Sequence, residues 1–174
     1  MQHSNNLWSG LRAIALGSVV VAGAIALTGS PAKAQAAYGS YIGIGGSFGL
    51  TETNMQDSEN SVLLAARYKF LRLPVSLRAQ GLIGGDGSAF VPTLSYDIPI
   101  TWDADVYLGA GGSFVTGDNT PVGDRSSFAI QPGLDYSIPN SELVVFGNAI
   151  IAFDAYRDED KTAVSLQGGI GIRF

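Results

Sequence analysis

The chain has 174 residues, a formal net charge of −5, one histidine and no cysteine, a length that suits one domain of ordinary size. Without cysteine there are no disulfides and no thiolate chemistry. The acidic balance argues against nucleic acid as a partner.

Read from the amino terminus, Arg12 precedes an uncharged apolar run, Ala13 to Leu27, which ends in Gly29-Ser30-Pro31. The stretch SPAKAQA then offers small residues at Ala32 and Ala34, or at Ala34 and Ala36, as a signal-peptidase site requires. Fifteen apolar residues fall short of the ~18–20 that span a bilayer as a helix. The expectation is a cleaved secretory signal peptide over 1–36, cut after Ala34 or Ala36, and one domain over 37–174. No cysteine follows the apolar run, so a lipoprotein signal is not expected. Cleavage removes Arg12, Lys33 and His3 but no acid, leaving 8 basic and 15 acidic residues, a net −7. The remaining domain has neither His nor Cys, which argues against Ser-His or Cys-His nucleophiles and His-Cys metal sites.

Beyond Tyr38 no segment sustains a helical period, and glycine is too frequent for helix interiors. Period-two alternation predicts eight strands instead, over 41–50, 61–71, 74–84, 89–98, 104–116, 127–138, 141–154 and 162–174. Each has one face free of charge, amide and aliphatic hydroxyl. Examples are Ile42-Ile44-Gly46-Phe48-Leu50 in the first strand and Val164-Leu166-Gly168-Ile170-Ile172-Phe174 in the last. The seventh strand is ambiguous, because Val144, Phe146 and Ile150 make its other face apolar too. Turn chemistry checks the faces, since directly paired residues share a side of the sheet. A turn at Arg72-Leu73 pairs Tyr68 with Leu77, one at Asp86-Gly87 pairs Ile83 with Phe90, and one at Pro139-Asn140 pairs Tyr136 with Leu143. A repeat, Pro-x-Leu-x-Tyr-x-Ile-Pro, occupies 92–99 and 132–139. Its leading prolines, Pro92 and Pro132, lie within strands and are expected to form bulges.

Alternation alone does not say whether the apolar face meets a core or lipid. If the first strand starts at the inner side, the inner connections are short and the outer ones mostly longer and more acidic, the asymmetry of bacterial outer-membrane barrels. Aromatics also gather at strand ends, with Tyr41, Tyr68, Phe70, Tyr96, Trp102, Tyr107, Tyr136 and Phe174 at the inner rim. Phe48, Phe90, Phe114, Phe128, Phe153 and Tyr156 lie at the outer rim. Two aromatic girdles around an aliphatic band match the two interfaces of a bilayer. The chain closes on Gln167-Gly-Gly169-Ile-Gly-Ile172-Arg-Phe174. With this ending it resembles the eight-stranded outer-membrane β-barrel family, the type of the outer membrane protein A transmembrane domain and outer membrane protein X. The resemblance implies an all-β, antiparallel up-and-down transmembrane barrel located in the outer membrane of a bacterium. It implies that Gln167, Gly169, Ile172 and Phe174 form a terminal signal read by a barrel-assembly machinery.

The other expected partners are outer-membrane lipid and, left open, a small solute or a surface ligand; a monomer is expected. The role so implied is non-enzymatic: structural, surface-interacting or narrowly porin-like. The alternative is a secreted or periplasmic lipocalin-like barrel around a small apolar ligand, which would turn the same apolar faces inward.

In a barrel of this size side chains fill the interior. Gly43, Gly45, Gly49, Gly109, Gly111, Gly133, Gly169 and Gly171 all fall on the inward face and suggest a thinly filled region. Arg67, Lys69, Arg78, Asp97 and Asp135 also fall there and suggest a lumenal charge cluster. It is either a plug or a set of independent charges in a wet lumen. No catalytic constellation emerges, because Ser113 and Ser165 have no base nearby, and outer-membrane lipid acyltransferases and deacylases of this size use a histidine. The glycine strings GIGGSFG and GAGGSFV do not form a phosphate loop. Asp158-Glu159-Asp160 lacks the pattern of a calcium loop and reads as a solvated connection. No cofactor and no metal is expected.

Overall fold

The computed structural model describes residues 39–51, 60–85, 87–117, 120–157 and 161–174. The leader 1–36 with its cleavage sites, and the acidic run 158–160, lie outside them. The described residues form eight strands: β1 (Tyr41–Gly49), β2 (Asn60–Lys69), β3 (Val75–Ile83), β4 (Gly87–Pro99), β5 (Ala104–Gly117), β6 (Ser127–Ser137), β7 (Leu143–Phe153) and β8 (Ala163–Arg173). Each pairs antiparallel with the next, and β8 pairs back onto β1 from Tyr41 opposite Arg173 to Gly49 opposite Ser165. The result is a closed barrel, which leaves no free sheet edge.

Because successive side chains point to opposite sides of the wall, the parity read from sequence decides what lies outside. Ile42, Ile44, Val62, Leu64, Leu77, Leu94, Leu108, Ile170 and Ile172 are exposed on the exterior, while Arg67, Arg78, Asp97, Gln131, Asp135 and Gln167 are buried inside. Leu64 and Leu108 are 49% and 58% exposed, which overturns the calyx alternative: a pocket for an apolar ligand needs those side chains inside. Water does not tolerate a continuous aliphatic wall of this extent, so the medium outside the barrel is lipid.

The rims need one amendment. Phe48, Phe90, Phe114, Phe128 and Phe153 at one end, and Tyr68, Phe70, Tyr96, Trp102, Tyr136 and Phe174 at the other, are exposed as a girdle requires. Tyr41, Tyr107 and Tyr156 are buried instead. The first two have inward parity, so they belong to the lumen.

Two registers differ from the turn-based reading. Tyr68 faces Leu77 as expected, but Ile83 faces Ser88 rather than Phe90, and Tyr136 faces Val145 rather than Leu143. In the first case Gly84 N donates to Gly87 O at 2.9 Å, and Phe90 lands opposite Gly81. In the second, Pro139 cannot take the positive φ that a two-residue hairpin turn demands. The connection widens, Asn140 adopts φ +59°, and Ile138 N donates to Leu143 O at 2.9 Å. Both shifts are even-numbered, so every side chain keeps its face.

The prolines do not form bulges. Pro92 pairs in step with Ala79 of β3. Towards β5 the ladder skips residues 91–92 and resumes in the same register, from Phe90 opposite Phe114 to Thr93 opposite Gly111. Pro132 does the same, pairing with Leu108 of β5 and skipping towards β7. A missing donor removes a ladder bond but does not require an extra residue.

Candidate functional site

The register of β2 with β3 sets Arg67 directly opposite Arg78, and that of β5 with β6 sets Asp105 directly opposite Asp135. Either pair alone is repulsive. Closure of the barrel brings the two pairs together across the lumen, with Asp97 of β4 between them. Arg67 donates from Nη1 to Asp135 Oδ2 at 2.8 Å, and from Nη2 to Asp97 Oδ2 at 3.1 Å and Asp105 Oδ2 at 2.9 Å. Arg78 Nη2 donates to Asp97 Oδ1 at 3.2 Å and Asp135 Oδ2 at 2.8 Å. Lys69 Nζ donates to Asp97 Oδ2 at 2.7 Å from the inner edge.

The remaining donors are used with the same economy. Arg67 Nε donates to Ser76 Oγ at 3.1 Å, and Ser76 Oγ in turn donates a hydrogen bond to Asp97 Oδ2. Arg78 Nε donates to Ser95 Oγ at 2.9 Å, and Ser95 donates to Asp97 Oδ1 at 2.9 Å. Tyr41 OH donates to Asp135 Oδ1 at 3.0 Å. The Arg78 guanidinium lies 3.3 Å from the centroid of the Tyr107 ring, a cation–π contact. Three cations and three carboxylates thus balance in a volume from which water is almost excluded. Desolvation that would be prohibitive for any one charge is offset only because all six are paired.

The five residues expected in the cluster, Arg67, Lys69, Arg78, Asp97 and Asp135, come together. Asp105, Tyr41, Tyr107, Ser76 and Ser95 complete it and were not anticipated. Asp105 has the same inward parity as the others, but at the first turn of its strand it resembles a loop residue. The carboxylates converge on guanidinium groups, and among the described residues no group of acidic, His or Cys side chains could hold a metal ion.

The lumen is not thinly filled at its glycines. A side chain at Gly43 or Gly169 would strike the Phe146 ring, one at Gly171 the Tyr41 ring, and one at Gly133 the Tyr107 ring. Tyr41 and Phe146 stack with centroids 5.4 Å apart. The glycines are the space those rings require, and the apolar second face of the seventh strand supplies Phe146. Above lies a polar tier, where Gln131 Nε2 donates to Asn148 Oδ1 at 3.1 Å and Gln167 Nε2 donates to Ser47 and Ser165 Oγ at 3.1 and 2.7 Å.

At the carboxyl end, Gln167 is buried in that tier and Gly169 lies against Phe146, while Ile172 and Phe174 are exposed on the outer wall. Ser113 and Ser165 are both fully buried, with no basic side chain hydrogen-bonded to either.

A closed eight-stranded antiparallel barrel, aliphatic outside and charged within, defines the class of small transmembrane β-barrels. No protein-family model and no curated protein matches the chain. Solved structures do. Neisserial surface protein A superposes with a TM-score of 0.56 at 13% identity, over 78% of this chain and 97% of that one. The attachment invasion locus protein of Yersinia pestis gives 0.52 at 19%, over 78% and 97%. The structure of that outer membrane protein in a phospholipid bilayer nanodisc gives 0.52 at 17%, over 78% and 98%. At these identities the likeness is one of fold.

Proposed function

We propose that the protein is a non-enzymatic integral barrel of the bacterial outer membrane, a sealed scaffold with a structural or surface-interaction role. The observation that supports this most directly is the neutral, almost fully buried charge cluster that crosses the lumen beneath an aliphatic exterior. In this reading the cluster is a plug, and a narrow porin-like role has less support. The polar interior acts as an internal brace holding β2 to β6 in one arrangement, and the outer connections are what the outside meets.

Among the described residues catalysis has no acid–base pair to work with: the interior acids are neutralised by guanidinium groups and the interior hydroxyls have no activating base. The terminal residues Gln167, Gly169, Ile172 and Phe174 would be read by the assembly machinery before closure, when β8 still presents a free edge. Phe174→Ala should then lower the amount of barrel in the outer-membrane fraction without altering purified, refolded protein.

The test of the main reading is twofold. The protein should require detergent for extraction from membranes, and in planar bilayers it should show no ion-conducting events. Recovery in a soluble fraction would defeat the membrane reading, whereas steady ohmic conductance would defeat only the sealed lumen and restore a pore.

A further inference from the structure

The outer half of the lumen is lined unlike the rest. Leu63, Leu82, Val91 and Ile150 are fully buried there with Ala89, Ala129, Ala152 and Ala163, and none of these carries a charge. Transmembrane barrels ordinarily keep polar interiors, so an aliphatic vestibule needs an occupant. Two connections supply one. Thr120, Pro121, Val122 and Gly123, between β5 and β6, are buried, as are Ala155 and Tyr156 just beyond β7. Val122 and Ala155 are 0% exposed and belong to the same packed cluster as the vestibule lining.

The two connections are latched to each other by polar contacts. Asp124 N and Arg125 N both donate to Ala155 O at 3.0 Å, and within the first connection Gly123 N donates to Thr120 O at 3.0 Å. Arg157 N donates to Asp124 Oδ1 at 3.0 Å. Arg125 and Asp154 form an ion pair at 3.1 Å with both side chains about half exposed, a type that adds little stability. Gly123 has φ +99°, and a Cβ there would collide with the Ala155 backbone. Only glycine lets the tongue close at this point. The latch is therefore short, mostly backbone and open to water, whereas the seat beneath it is mainly aliphatic, with Gln80 beside Val91 and Ser165 beside Ile150.

We infer that residues 120–125 are a displaceable stopper, and that their seat in the outer half of the lumen is a binding site for the alkyl chain of an amphiphile. Val122 occupies the seat as an internal surrogate. A chain entering from the outer side replaces one aliphatic group by another at little cost, once the latch has opened locally. The charge cluster closes the inner end, so the seat is a blind pocket and not a passage.

The chain has no cysteine, so a single Val91→Cys in nanodisc-embedded protein reports on the seat. With Gly123 intact, its labelling by N-ethylmaleimide should be slow. Adding Gly123→Val should raise the rate about tenfold or more, as local opening does for a protected site, and dodecanoate should suppress that gain. Equal labelling with and without Gly123→Val would overturn the stopper, and labelling indifferent to dodecanoate would overturn the alkyl site. If Gly123→Val does not assemble, Val122→Ser carries the same two comparisons.

Discussion

Arg67 is the residue on which the lumen turns. Among the described residues it is the only side chain that hydrogen-bonds Asp105, and it shares Asp97 and Asp135 with Arg78. Arg67→Ala leaves a buried carboxylate without a cation, and the expected loss is about 3–5 kcal/mol, read as a shift in urea unfolding of the detergent-solubilised barrel. Arg67→Lys should recover only part of it. An ammonium is a point charge and does not span three carboxylates as a planar guanidinium fork does. At the outer mouth Tyr156 gives a separate, pH-dependent signal. Burial, and then the nearby Asp124 carboxylate, holds its phenol above the usual value. The unfolded chain ionises this phenol first, from about pH 10. Its contribution is therefore complete below that pH and is lost as pH rises towards the folded value. Tyr156→Phe should flatten the decline in stability above about pH 10 and leave neutral pH unchanged.

At the level of elements, the strands carry their devices in pairs. Each copy of the proline repeat spends its missing N–H on the following strand, β5 for Pro92 and β7 for Pro132. Pro92→Ala should keep the register and add a slowly exchanging amide, with a gain of about 0.5–1.5 kcal/mol for one restored bond; a shifted register seen by NMR would contradict the absence of a bulge. Gly169 links β8 to two neighbours at once, since a Cβ there would meet both Ile44 O of β1 and the Phe146 ring of β7. Gly169→Val should therefore hinder closure even in purified, refolded protein, and Phe146→Ala should relieve only the ring's share. This separates a steric need for glycine at this position from its reading by an assembly machinery, which refolding in vitro does not involve.

For the whole molecule the exterior is the sensitive surface. Leu64→Arg or Leu108→Arg places a charge in the aliphatic band and should cost ~2–4 kcal/mol near the midplane, measured as loss of folded barrel from the membrane fraction. The same substitution in a wet interior would cost much less, so the size of the effect reports which side lipid is on. Leu71 and Trp102, at the tips of inner connections, are 83% and 86% exposed. Charges there should be tolerated, because headgroups and water are within reach.

Strand existence, parity and the closing partner of β8 were all legible in the chain, because alternation over eight segments is a local property that each strand carries alone. Parity also placed Arg67, Lys69, Arg78, Asp97 and Asp135 inside. It would have placed Tyr41 and Tyr107 there too, had strand-end aromatics not been assigned to the girdle by position. Registers at two turns differ by two residues, since a turn-prone dipeptide does not fix the length of the connection around it, as the wider link at Pro139-Asn140 shows. What no local pattern encodes is distance across the lumen. The arginine pair of β2 and β3 meets the aspartate pair of β5 and β6 only because the closed wall brings non-neighbouring strands face to face. The rings of Tyr41, Tyr107 and Phe146 fill the space beside the glycines for the same reason. Period-two sequence determined which side of the wall each residue occupies; closure of the barrel decided which residues meet inside it.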